Sequence, residues 1–149
     1  MCAGLIRLLD VRLSGELRLE GCVASSLLAK LSMGVGMTRE PVSVVGAFGD
    51  ACNAHDLEAA LGLCADDIVF ESTTPPDGDR FVGHAELREV WTPLFENPAT
   101  HVDVEATILA GDYVVQQCLY SWGDGHVRAV DLYRVRDGKI TEKLSYVKG

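Results

Sequence analysis

The chain reads as one α+β domain in which helices come first and an antiparallel meander follows. Three observations point there. Apolar residues recur at spacings of three and four between Pro41 and Cys64. They alternate with polar residues from His101 onward. Asp137-Gly138, the strongest short hairpin signal, sits between two of the alternating runs. Helices packed on one face of a curved sheet satisfy all three, and where the helices do not reach, the concave face leaves a cavity.

At 149 residues, 48% of them hydrophobic and 23% charged, the chain suits a single domain with a real core. No apolar run approaches the roughly 18 residues of a membrane helix. The net charge of −9 argues against nucleic acid and against anionic membrane surfaces, because phosphate binding needs clustered Lys and Arg. An uncharged or cationic small molecule is easier to accommodate. Cys2, Cys22, Cys52, Cys64 and Cys118 are odd in number and have no CxxC spacing, which disfavours a disulfide framework or a zinc site. Free thiols fit a reducing cytoplasm. No spacing calls for a metal or a cofactor.

Residues 1–36 differ from the rest. They hold four basic and three acidic residues, so the remainder carries a net −10. Charges at Asp10, Arg12, Glu16 and Arg18 interrupt any signal-peptide core. "LLDVRLSGELRLEG" alternates as a hairpin would, with Ser14-Gly15 at the turn. The other readings make the leader disordered, or make Met37 the natural start and the leader a gene-start artefact; all recognisable pattern begins after Met37.

Each later element has its own local reason. Pro41 suits a first helical turn, and Val42, Val45, Phe48 and Cys52 form one stripe. "NAHD" interrupts it, Asp56 caps the next helix, and Leu57, Ala60, Leu61 and Cys64 form the second stripe. Residues 41–65 are thus a helical hairpin. "DDIVFES" is a strand and "TTPPDGDR" a loop. A third helix begins near Gly83-His84, carries Leu87, Val90, Trp91 and Leu94, and should end or kink at Pro93. In "HVDVEATIL", Val102, Val104, Ala106 and Ile108 share one face. "YVVQQCLYSW", "HVRAVDLYRV" and "ITEKLSYV" are the remaining strands, separated by tight turns.

No HExxH, GxSxG, P-loop or GxGxxG occurs. Candidate residues must therefore be polar groups on buried faces. Asp131 stands between Val130 and Leu132 in a strand, where a carboxylate is costly unless paired. Tyr133 shares its face. On the preceding strand, Gln116, Cys118, Tyr120 and Trp122 share a face that offers aromatic walls with polar handles. Asp131 then has two readings. It is a pocket carboxyl raised by desolvation and able to act as acid, base or neutral donor, or it is half of a structural ion pair with Lys143 or an Arg. His55, His84, His101 and His126 read as turn or surface residues, Asp67 and Glu71 as solvated edge carboxylates, and Trp91 as core.

"CADDIVFES", "FVGHAELREVW" and "VDLYRVRDGKITEKLSYV", in that order after a helical hairpin, resemble the SnoaL-like branch of the nuclear transport factor 2-like superfamily over about residues 40–149. The resemblance implies a cone, in which a strongly curved sheet wraps about three helices and leaves an internal pocket. It also implies a homodimer through the sheet's outer face, and a cofactor-independent isomerase, cyclase or dehydratase, or a non-catalytic binding module of the same fold. Asp131 matches the position where ketosteroid isomerases keep a neutral acid and where SnoaL-like cyclases keep an acidic general base. The isomerases' base corresponds to Ser72 and their helix tyrosine to Phe48, neither of which can do those jobs. The epoxide hydrolases' triad corresponds to Gln117, Leu119 and Ser145, which departs from it too. What remains implied is Asp131 as general acid or base on a small carbonyl compound. The expected binding residues are Gln116, Cys118, Tyr120, Trp122, Tyr133 and Lys143, with Tyr120 or Gln116 donating to an enolate oxygen.

Overall fold

The computed structural model of the protein describes residues 40–148. The leader reading, including the Ser14-Gly15 hairpin, lies outside the described residues. Helix α1 spans Pro41–Asn53 and α2 spans Leu57–Gly62, with the Asp56 carboxylate accepting from the Ala59 N–H at 2.9 Å as the N-cap. The helical hairpin stops sooner than its stripe suggested. Cys64 opens strand β1, Cys64–Glu71, rather than closing α2. The cause is Gly62, a poor helix residue, together with Ile140, whose N–H donates to the Leu63 carbonyl and draws the chain into the sheet.

After β1 comes a short strand β2, Arg80–Val82, in what the sequence presented as loop. It pairs antiparallel with β1, helped by an ion pair between Arg80 and Glu71. Helix α3, Gly83–Glu96, begins where expected but runs past Pro93 instead of ending there. Its last turn is held by packing of Phe95 on Trp91 and by His55, whose Nδ1 donates to the Phe95 carbonyl at 3.0 Å. His55 is therefore a staple between α1–α2 and α3, not a plain turn residue.

The meander follows as β3 Thr100–Ala110, β4 Tyr113–Trp122, β5 Gly125–Arg136 and β6 Lys139–Val147. The six strands form one curved, unclosed sheet in the order β2-β1-β6-β5-β4-β3. All neighbours are antiparallel except β1 and β6, which run parallel. Asp137 and Gly138 have φ of 50° and 74°, the paired positive values of a type I′ turn.

One expected face is overturned. Strand β3 carries a bulge between Val104 and Ala106, so Glu105 has no partner residue on β4. Val102 and Val104 stand opposite Tyr120 and Cys118 on the inner face, but Ala106 and Ile108 stand opposite Gln117 and Val115 on the outer face. One extra residue reverses every later side chain. Glu105 uses the bulge to reach Gln117 and Arg128 on the outer face.

The core lies between the helices and the inner face. Val44, Val45 and Phe48 of α1, Leu61 of α2, and Leu87 and Trp91 of α3 pack against Ile68, Val114, Tyr133 and Ile140. Asn53 docks the end of α1 onto β3. Its Nδ2 donates to the Val102 carbonyl and its Oδ1 accepts from the Val102 N–H, both at 2.9 Å. Asn53→Ala removes the partners of both backbone groups of Val102 and is expected to cost about 1–3 kcal/mol in urea unfolding. A variant as stable as the parent would show that these bonds do not dock α1.

Candidate functional site

Where α1, α3 and the sheet part company, a cavity of about 560 Å³ opens on the inner face. Phe48, Phe70, Trp91 and Phe95 make its apolar walls, with Val102, Val127 and Ala129 from the strands. Phe48 and Phe70 lie 5.6 and 5.5 Å from Trp91, centroid to centroid, so three elements meet in one aromatic cluster. Asp131 and Lys143 are the charged side chains among the described residues that line it.

The register places them together. Asp131 of β5 is directly opposite Ser145 of β6, and Tyr133 is opposite Lys143. Inner-face residues two apart on neighbouring strands then converge. Lys143 Nζ donates to Asp131 Oδ2 at 3.0 Å and to Ser145 Oγ at 2.6 Å. Asp131 Oδ2 also accepts from Tyr133 at 3.1 Å and from Tyr120. The ammonium lies 5.3 Å from the Phe70 ring centroid and 5.4 Å from that of Tyr133, within cation–π reach. Of the two readings of Asp131, the ion pair is the one present. Its other oxygen, Oδ1, is buried and has no hydrogen-bond partner.

Burial pushes the Asp131 carboxyl upward. Burial is the largest single influence, but the Lys143 charge and the hydrogen bonds from Tyr120 and Lys143 together more than offset it and hold the carboxyl below its ordinary value. It is ionised at neutral pH and cannot be the neutral acid of the ketosteroid isomerases. Burial, then the Asp131 charge, pushes the Tyr120 hydroxyl well above its usual range; burial likewise raises Tyr133. Both stay protonated donors. Burial pushes the Cys52, Cys64 and Cys118 thiols up to about 12, which makes them poor nucleophiles.

The expected site residues separate into two groups. Tyr120, Trp122, Asp131 and Lys143 line the cavity. Gln116, Cys118 and Tyr133 do not. They face the correct side of the sheet but sit deeper along their strands, where the helices cover them. Gln116 turns toward β3 and donates to Thr107 Oγ1 at 3.3 Å. Cys118 is fully buried. Tyr133 lies edge-on to Phe48, 6.0 Å away, with its hydroxyl spent on Asp131. Asp131 has no accessible surface at all, whereas Lys143 retains 7%. A ligand meets the ammonium before the carboxylate. Among lining residues the sequence reading missed are Cys52, Asn53, Leu94, Phe95 and Thr100. The first-helix stripe, which includes Cys52, and the third-helix stripe, which includes Leu94, carried signals that were indistinguishable from core. No cluster of three or more His, Cys, Asp or Glu able to hold a metal occurs among the described residues, and none of their helices is long and apolar enough to cross a membrane.

A curved sheet folded over three helices around a walled cavity defines a cone-fold pocket protein of the nuclear transport factor 2-like kind. Residues 45–143 match the family model described as a SnoaL-like domain, and the chain belongs to that family. Solved structures agree. An NTF2-like protein of unknown function from Mesorhizobium loti is 38% identical, with 72% of this chain and 90% of that one covered and a TM-score of 0.66. A computationally designed 17-OHP binder is 26% identical, with 72% and 89% covered and a TM-score of 0.63. SalBIII, an epoxide hydrolase/cyclase-like enzyme of pyran ring formation in the polyether salinomycin, is 16% identical, with 72% and 89% covered and a TM-score of 0.65; that likeness is one of fold. Among proteins of curated function none matches this chain.

The ion pair generates a signed prediction. Asp131 loses its proton more readily in the folded protein than in the unfolded chain. Its contribution is therefore complete above the ordinary carboxylate value and is lost as pH falls through the folded value. Lys143→Met leaves that carboxylate buried and uncompensated, at an expected cost of about 3–5 kcal/mol at pH 7. Without the Lys143 charge, burial moves the carboxyl upward from where the parent holds it, so the lone charge is neutralised at higher pH than in the parent. The deficit should therefore shrink progressively as pH falls toward and then below the ordinary carboxylate value of about 4. Urea unfolding across pH measures this, and a deficit independent of pH would show that the pair is not ionised.

Proposed function

We propose that this protein binds an uncharged, largely apolar small molecule inside the cone, with an acceptor atom such as a carbonyl oxygen hydrogen-bonded to Lys143. One observation carries the reading. The Lys143 ammonium stands in the wall of an apolar cavity with two acceptors and three N–H groups, so one donor is left for a ligand. The charge balance supports a neutral ligand. Asp131 and Lys143 cancel, and an added carboxylate would face Asp131 as a like charge. The similar designed binder, which holds 17-OHP, supports an apolar guest of this general size.

A long-chain methyl ketone and the alkane of equal length test the reading by calorimetric titration. The ketone should bind the parent, and removal of the donor in an Asp131→Asn/Lys143→Met double variant should weaken it about tenfold or more. The double variant avoids leaving a lone buried charge. Equal affinity for ketone and alkane would sink the proposal.

The unpartnered Asp131 Oδ1 favours a second reading, proton abstraction beside the carbonyl. The carboxylate would take the α-proton while the spare Lys143 N–H holds the enolate oxygen. Because Asp131 is covered, this needs a side-chain shift on binding. Deuterium uptake at the ketone's α-carbon, followed by NMR, should be faster with the parent than with Asp131→Asn; equal rates leave a binding module only.

We also propose a homodimer through the outer sheet face, where Ile108, Val130 and Tyr146 are exposed, and a cytoplasmic setting, which suits the free Cys52, Cys64 and Cys118.

A further inference from the structure

The cavity is graded from end to end. At its inner end Asp131 is fully buried and Lys143 nearly so. At its outer end three lining residues are both large and exposed: Leu94 at 53%, Trp122 at 43% and Val147 at 41%. The β5 backbone from Asp131 to Gly125, the residue opposite Trp122, spans about 20 Å if extended. Large apolar side chains thus stand at the exposed end, beside the exposed lining residues Thr73 and Asn97, and far from the charged pair.

Trp122 leans across the neighbouring strand. It pairs with Gly125 across the β4–β5 hairpin, and its indole lies over the place where a side chain would stand. A Cβ on Gly125 would come within 2.5 Å of Trp122 Nε1 and 2.7 Å of Cε2. Glycine at 125 therefore lets the ring lie across the neighbouring strand. An indole so placed covers the glycine with one face and keeps part of its surface exposed at the mouth. Leu94 of α3 and Val147 of β6 complete an apolar rim.

We infer that Trp122, laid over Gly125, is a ring platform at the mouth, and that the bound molecule reaches from Lys143 to a flat apolar end stacked on this indole. The inference rests on the preceding reading for its inner anchor but not for the platform. It makes Trp122 a specificity-determining residue that rewards one length of ligand, because a shorter molecule anchored at Lys143 cannot touch the indole.

A series of ω-naphthyl methyl ketones with progressively longer chains tests this on the full chain, read by calorimetry and by quenching of tryptophan fluorescence. Affinity for the parent should step up about fivefold at the chain length that brings the ring to the mouth. The step should vanish in Trp122→Leu and persist in Trp122→Phe, which keeps an aromatic face. Gly125→Val, which displaces the indole, should blunt it. Affinity that rises smoothly with length, alike in the parent and in Trp122→Leu, overturns the platform. The Asp131→Asn/Lys143→Met variant separates the two readings. A Trp122-dependent step with no loss in that variant removes the anchor and leaves the platform. A loss in that variant with no dependence on Trp122 removes the platform and leaves the anchor. No saturable binding of any member overturns both.

Discussion

A carboxylate buried in the middle of a sheet costs several kcal/mol unless its charge is met. Lys143 meets the charge of Asp131 at 3.0 Å from the next strand, and much of the site follows from that necessity. The pair forms only if β5 and β6 keep the register that sets Tyr133 opposite Lys143 and Asp131 opposite Ser145. The type I′ turn at Asp137-Gly138 starts the pairing, and a bulge at Thr141, between the Val135–Ile140 and Arg134–Glu142 pairs, shifts it by one residue into the register that sets Lys143 on the inner face. Slipping by one residue would send Asp131 to the outer face and leave Lys143 alone inside. The turn, the bulge that follows it and the long-range ion pair thus act together on one arrangement.

The same pair limits the chemistry. An acid that donates while neutral must have its proton held on, and the Lys143 charge does the opposite to Asp131. Phe48 and Ser72, where ketosteroid isomerases need a hydroxyl and a base, add nothing that would restore such a mechanism. What the pair creates instead is a fixed ammonium with a spare donor, set against the Phe70 and Tyr133 rings. Such a group polarises or anchors a neutral acceptor at little reorganisation cost, because the carboxylate already holds it in place.

The helices, the meander and the ion-pair partner of Asp131 were legible because each is written in local period or in one unmistakable oddity. Alternation shows which face a strand residue takes, and a lone Asp among Val and Leu demands a partner. Depth is not written that way. Gln116 and Cys118 share the face of Tyr120, yet the helices lie over them, and no period along β4 records where α1 ends. The bulge at Glu105 was hidden for a related reason. "HVDVEATIL" alternates well enough to mask one extra residue whose only mark is the polar contact it makes with Gln117 and Arg128. Strand β2 is three residues long and exists through pairing with β1, not through its own propensity. Asn53 and His55 looked like breaks in a pattern, but a break between helices is where a side chain can turn back and tie elements together.

These misses share a physical source and bear on how such a pocket diversifies. The cone is maintained by period, turn and register, which tolerate change at positions facing the void. Ser72 and Ser145 line the cavity without belonging to the packed core, so they can depart from a relative's catalytic set without loss of the fold, and Phe48 departs by filling the core instead. Asp131 and Lys143 cannot change singly without leaving a bare charge, which ties them to each other whatever the guest. The mouth is bound by a different constraint, since Trp122 can lie as it does only while residue 125 has no side chain. Stability therefore holds the inner end fixed, while a two-residue steric agreement sets the outer end, so length and shape of the ligand can change there without disturbing the anchor.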